Sequence, residues 1–225
     1  MKSFIPNALT ASNLVFGVFS IVATYHGQYN AAALLIFAAM IADGLDGRAA
    51  RYFGVSSEFG KELDSLCDLG SFGVAPAFLI YAFTLKDFGW LGAAVAAAFA
   101  TCGALRLARF NVMTGVIKGY FLGLPIPAGG CVVATFVMMG LKPAGFIVPV
   151  MVAVVAYLMV STVKYPDFKG KGEKIRPVPA VLALALAAYI VFLAPAAILF
   201  ALFFGYVIFG LLNNAFALLE TKTAP

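Results

Sequence analysis

Eight long apolar runs dominate the chain, at approximately residues 7–25, 30–50, 62–84, 89–110, 122–141, 144–163, 178–194 and 196–218. Crossing roughly 30 Å of hydrocarbon takes about 20 such residues in a helix. The runs are continuous rather than alternating, which suits lipid-embedded helices and speaks against the strands of a barrel wall. Short gaps make most neighbours antiparallel. The spacing therefore predicts an all-α polytopic membrane bundle of about eight transmembrane helices. Near Pro195 the pattern allows either one interrupted hairpin or two short spans.

Composition supports this. The chain is 63% hydrophobic and 11% charged, against roughly 45–50% and about 25% in soluble domains. A mean hydropathy of +1.00 cannot be hidden in a soluble 23.7 kDa particle, whose surface needs far more polar cover. A cytosolic enzyme, a nucleic-acid-binding domain and a disordered chain are excluded, and no nucleic-acid partner is expected.

The charges test the layout independently. With a cytoplasmic N-terminus, one side collects Lys2, Arg48, Arg51, Lys61, Arg106, Arg109, Lys118, Lys164, Lys169, Lys171, Lys174, Arg176 and Lys222, and the other keeps Lys86 and Lys142. Such a bias places both termini in the cytoplasm. Tyr25, Tyr29, Tyr81 and Trp90 then form an outer aromatic belt. The basic stretch Lys164 to Arg176 becomes a cytoplasmic loop that sets topology and touches anionic lipid headgroups. Cys67, Cys102 and Cys131 show no paired spacing and read as core residues. A single histidine, His26, argues against a zinc site or a histidine triad. No cleavage site follows the first apolar run, so that run is expected to stay on the chain.

Acidic residues are scarce, yet Asp43, Asp46, Asp64 and Asp68 fall close together. At about 100° per residue, Asp43, Asp46, Gly47 and Ala50 share one arc of a helix. Gly60, Asp64 and Asp68 share one face of the next. The connection 52–59 reads as a tight turn, so antiparallel packing brings both carboxylate pairs to one membrane boundary. Four negative charges in a partly dehydrated space need protons or cations to compensate them. Hard divalent cations suit an all-oxygen site, and two of them can bridge a phosphate group. Small residues between the acids leave room for a polar ligand, and Arg51 is placed to meet phosphate or ribose oxygens. Pairing of the acids with Arg48, Arg51 and Lys61 is the structural alternative. An ion-coupled transporter is another, although the acids cluster at one interface and no inverted repeat is evident.

The string D-x-x-D-G-x-x-A-R-x8-G-x3-D-x3-D runs unbroken from Asp43 to Asp68. It resembles the signature of the CDP-alcohol phosphatidyltransferases, with every defining position filled. The resemblance implies a six-helix catalytic unit within residues 1–170, with 171–225 as a C-terminal transmembrane hairpin packed on the same bundle. It also implies a homodimer, and displacement of CMP from a CDP-linked lipid by an alcohol with two divalent cations, Mg²⁺ or Mn²⁺. By motif position Asp43, Asp46 and Asp64 would be metal ligands. Asp68 would bind one metal and act as general base. Gly47, Ala50, Arg51 and Gly60 would line the nucleotide site. Upstream, Asn7, Thr10 and Asn13 lie at helical spacing and would face the metals or nucleotide, or form a polar stripe between helices.

Flanking segments resemble the family members that use serine. They are Ser56 to Pro76, Ala104 to Asn111, Gly123 to Ala128, Leu158 to Ser161 and Lys164 to Pro166. The expected partners are CDP-diacylglycerol, L-serine and membrane lipids, with the active site at the cytoplasmic face of the cell membrane. Arg106 and Arg109 would hold the serine carboxylate by paired hydrogen bonds, with Asn111, Ser71 and Lys164 as polar neighbours. Snorkelling to lipid phosphates is the alternative for the arginines. An arginine pocket also suits glycerol 3-phosphate or inositol phosphate. The prolines and glycines of Phe121 to Ala128 must break helical hydrogen bonding there and are expected to shape the acceptor pocket or lipid entrance.

Overall fold

The computed structural model describes residues 4–55, 57–113, 120–166 and 176–223. Helices α1 (Phe4–Tyr25) and α2 (Tyr29–Phe53) form an antiparallel hairpin. Helix α3 (Glu58–Asp68) begins at Ser57, whose Oγ accepts a hydrogen bond from the Gly60 amide at 3.0 Å, the usual work of a serine N-cap. It runs through a π-helical turn (Leu69–Val74) into α4 (Ala75–Phe83), making one rod. A 3₁₀ turn (Leu85–Phe88) leads to α5 (Gly89–Met113). Then come β1 (Tyr120–Leu122), α6 (Ile126–Met138), α7 (Ile147–Val160), β2 (Lys164–Pro166), α8 (Pro177–Leu193) and α9 (Ile198–Thr223).

Helices appear where the apolar runs predict them, but not all are full spans. Ile5–Tyr25, Tyr29–Phe53, Glu58–Phe83, Leu85–Met113 and Pro195–Ala217 are long and apolar enough to cross a membrane, whereas α6, α7 and α8 have 13, 14 and 17 residues. The run at 122–141 is shortened because its first residues go elsewhere. Tyr120, Phe121 and Leu122 pair antiparallel with Pro166, Tyr165 and Lys164, a small ribbon that continuous hydropathy gives no hint of. Gly123 and Leu124 extend it by donating to the Val163 and Leu158 carbonyls at 2.8 and 2.9 Å. Helix α6 can be short because protein encloses it: apart from Pro127, every residue from Ile126 to Val137 is buried. Around it pack Ile36, Phe72, Leu79, Phe99 and Met159, all fully buried.

The outer faces are apolar. Phe19, Trp90, Leu184 and Phe192 are exposed large hydrophobics, the reverse of a soluble surface and the expected face toward lipid. The chain is an all-α membrane bundle, and its two ends differ. At one end the α1–α2 turn, the α4–α5 connection and the α6–α7 turn meet. Tyr29 donates to the Ala82 carbonyl, Phe88 packs on Phe146, and Lys142 lies over the Phe83 ring. The opposite end holds the α2–α3 turn, the four aspartates, Arg106, Arg109 and the ribbon. Lys2, Lys118, Lys169, Lys171 and Lys174, counted in the charge bias, lie outside the described residues, as does the side chain of Lys222. The start of α8 is tied to α9, where buried Asn213 accepts from the Arg176 amide at 3.0 Å.

Candidate active site

Two helices bring the acids together. One carboxylate oxygen from each of Asp43 (α2), Asp64 and Asp68 (α3) lies within 4.8 Å of the others. Asp46 stands beside this triad, with the Thr10 hydroxyl donating to it at 2.5 Å. Asn13, fully buried on α1, donates its amide to Asp68 Oδ1 at 3.0 Å. Thr10 and Asn13 therefore sit one helical turn apart, each holding a carboxylate from a different helix. The ionic alternative is not what the fold adopts: Lys61 turns to the Asn111 carbonyl at 3.2 Å. Among the described residues none of the four aspartates closes an ion pair.

Ser71 belongs to this scaffold rather than to an acceptor pocket. It projects from the π-helical turn and donates to the Asn13 carbonyl at 2.8 Å, completely buried. The widened turn thus fixes the same residue that holds Asp68.

Beside the triad opens a cleft of about 580 Å³. Its walls include Asn7, Thr10, Asp46, Gly47, Ala50, Gly60 and Asp64, all singled out by the sequence pattern. Pro6, Val55, Ser57 and Lys61 line it too. In the sequence Lys61 reads only as a countercharge, because nothing in its spacing says that the turn folds it inward. Arg51 is exposed, and its guanidinium lies close to Gly47 of the cleft wall. Gly60 keeps the wall thin, since a methyl group there would meet Ser57 Oγ at 3.2 Å.

The basic residues divide into different jobs. Arg109 braces the backbone: its Nη1 donates to the Val160 carbonyl at 2.8 Å, and its Nη2 lies 2.8, 3.2 and 3.0 Å from those of Leu122, Met159 and Ser161. Gly123 adopts φ +79° between this guanidinium and the Met159 carbonyl, where a side chain would collide. The expectation that both arginines form one paired clamp is therefore corrected, because Arg109 already serves four carbonyls. Asn111 exchanges hydrogen bonds with Ser65 and approaches Glu62, linking α5 to α3. Lys164 lies over the Tyr120 ring at 5.0 Å. Arg106 differs from all of these. It is only 6% exposed, its guanidinium lies 5.2 Å and 6.0 Å from the Phe110 and Phe121 ring centres, and it stands within electrostatic reach of Asp68. Its Nε has no hydrogen-bond partner among the described residues.

The triad fits a divalent cation. Asp64 Oδ1 is buried without a hydrogen-bond partner among the described residues. The donors are all hard carboxylate oxygens, with no imidazole or thiolate in the cluster, the set preferred by Mg²⁺, Mn²⁺ and Ca²⁺. Fold and site together define a polytopic helical membrane protein with an acidic, cation-competent cleft at one end of its bundle. The model of the CDP-alcohol phosphatidyltransferase family matches residues 3–163, and the chain belongs to that family. Among its relatives is a CDP-diacylglycerol–serine O-phosphatidyltransferase of Helicobacter pylori. It is 42% identical over 176 residues, covering 73% of this chain and 72% of the relative. An archaetidylserine synthase of Methanothermobacter thermautotrophicus is 41% identical, covering 76% and 74%. A CDP-diacylglycerol–serine O-phosphatidyltransferase of Bacillus subtilis is 36% identical, covering 74% of this chain but 92% of its own length.

Proposed function

We propose that the protein transfers the phosphatidyl group of CDP-diacylglycerol to the hydroxyl of L-serine, releasing phosphatidylserine and CMP. The observation that carries this reading is the juxtaposition of two unlike walls. Three convergent carboxylates flank a cleft large enough for a nucleotide diphosphate, and a buried guanidinium stands within reach of Asp68. The names of the relatives favour serine over glycerol 3-phosphate or inositol phosphate.

Asp43, Asp46, Asp64 and Asp68 would hold two divalent cations, Mg²⁺ or Mn²⁺, which when bound supply positive charge to the pyrophosphate and to the departing CMP. Asn7, Thr10, Gly47, Ala50, Arg51 and Gly60 receive the nucleotide end of the lipid. Asp68 takes the proton of the serine hydroxyl as its oxygen bonds to the lipid-bearing phosphorus, and the bond from that phosphorus to CMP breaks. Asn13 keeps the Asp68 carboxylate turned toward that proton. Arg106 binds the serine carboxylate. Arg109, Ser71 and Asn111 keep the pocket walls in register, and Lys164 adds positive potential at its edge.

The family resemblance favours residues 1–170 as the catalytic unit working in a homodimer, and the Bacillus relative, matched over nearly its whole length, agrees with a shorter unit. The clustering of cationic side chains at the aspartate end favours that end as the cytoplasmic one.

The test is CMP release by the purified protein from CDP-diacylglycerol with Mn²⁺, offering serine, glycerol 3-phosphate and inositol 1-phosphate separately. Serine-dependent release, lost in Asp68→Asn, is expected. Release with a phosphorylated alcohol would overturn the acceptor, and no release with any of them would overturn the reaction.

A further inference from the structure

Residues 164–225 lie beyond the family match, yet part of this region touches the acceptor side of the site. Tyr165 on β2 is fully buried, and its hydroxyl has no partner among the described residues. Its ring presses against the backbone of α9 at Gly210, where a side chain of any size would occupy the place of the ring. Tyr206 of α9 packs on the same ring, centroids 5.5 Å apart, and donates to the Pro166 carbonyl at 3.3 Å. Helix α9 therefore seals β2 from behind.

On the other side lies Arg106. Tyr165 pairs in register with Phe121, so their side chains stand as neighbours on one face of the ribbon. The Arg106 guanidinium lies over that same Phe121 ring. Arg106 and Tyr165 are thus both neighbours of Phe121, and Tyr206 is within electrostatic reach of both. Each contributes a buried donor without an acceptor, Nε of Arg106 and the hydroxyl of Tyr165. Burial pushes the Tyr165 phenol up, which keeps it a donor at neutral pH. Buried donors and buried positive charge are costly unless something supplies oxygen acceptors and negative charge. A carboxylate supplies both.

We propose that the Tyr165 hydroxyl joins Arg106 in binding the carboxylate of the acceptor, and that α9, through Gly210 and Tyr206, holds Tyr165 in place. This rests on the serine reading and deepens it. Tyr165 becomes a specificity residue for amino-acid acceptors, and the C-terminal hairpin becomes part of the active site.

Tyr165→Phe removes the hydroxyl alone. CMP release is measured with serine and with serinol, which keeps the attacking hydroxyl and the amine but replaces the carboxylate. The expected result is a serine KM raised about tenfold, the strength of one charge-assisted hydrogen bond, with the serinol and CDP-diacylglycerol KM values and the melting temperature unchanged. Tyr206→Phe, which removes the hydrogen bond to the Pro166 carbonyl but keeps the ring stacked on Tyr165, should show the same serine-selective loss at about threefold, and it serves if the first variant does not fold. Equal effects on serine and serinol, or none on either, would overturn the proposal while leaving the transferase reading intact. Wild-type protein that releases no CMP with serine would overturn both.

Discussion

The two walls of the site are built on different principles. The acidic wall comes from three consecutive helices, with every chemical group between Asn7 and Asp68 and each held by helical spacing. The basic wall draws on α5, the ribbon and α9, over residues 106–210, and is held by backbone carbonyls and stacked rings. The acidic wall opens to a cleft of about 580 Å³, while Arg106 and Tyr165 are enclosed. A wall that performs the chemistry must admit a large ligand and its cations. A wall that reads a small acceptor gains selectivity from enclosure, because a wrong acceptor then leaves buried donors unpaired.

Changes in the acidic wall should remove turnover, and changes in the basic wall should alter fit or folding. The largest expected effect is Asp68→Asn, which should slow CMP release by about 10²–10⁴-fold, the usual contribution of a general base, while CDP-diacylglycerol still binds. Normal turnover at saturation would break the comparison at once. Chelation of divalent cations should stop release comparably, with recovery on adding Mn²⁺ and a lowered melting temperature in between, as four unshielded carboxylates repel one another. Arg106→Ala should raise the serine KM by about 10–100-fold, in keeping with hydrogen bonds to charged groups, and leave the CDP-diacylglycerol KM alone.

Arg109→Ala sharpens the contrast between neighbours on one helix. It should cost several degrees in melting temperature, at about 2–4 °C per kcal/mol for a chain of this size, because four carbonyls lose their donor. The ratio of the two KM values should not move, and a serine-specific defect there would merge the two arginines into one role. The smallest effect should be Thr10→Val, which removes the hydroxyl on Asp46 and should reduce turnover only a few-fold, on the scale of one hydrogen bond of about 1 kcal/mol.

The acidic wall is legible in the sequence because helical periodicity carries it. Residues three or four apart share a face, so Asp43 with Asp46, Asp64 with Asp68 and Thr10 with Asn13 group together on spacing alone. Even the cleft lining at Asn7, Gly47, Ala50 and Gly60 obeys that rule. The basic wall is not legible in the same way. Arg106 and Arg109 are equally cationic and one turn apart, and only the ribbon decides that Arg109 faces carbonyls while Arg106 faces Phe121. The ribbon lies at the margins of the apolar runs, with only Leu122 inside the run at 122–141 and Lys164 to Pro166 in the basic loop, so hydropathy gives no sign that the two segments pair. Tyr165 reads as part of a loop because its burial is supplied by α9, some 40 residues later, at a glycine that hydropathy treats as one small residue among many.

The π-helical turn at Leu69–Val74 has a consequence for how this sequence tolerates insertion and deletion. A π turn carries about one residue more than an α-helical one, and each residue rotates the rest of the helix by about 100°. The rod from Glu58 to Phe83 therefore runs in two phases: upstream, Asp64 and Asp68 face the triad, and downstream, Leu79 and Ile80 face the core. Deleting one residue in the turn would leave a span as long and as apolar as most. It would also bring the two halves into one phase, so that either the aspartates or the core face points the wrong way. Length and hydropathy would register almost nothing, and the reading frame of the helix, rather than any single side chain in it, would be what was lost.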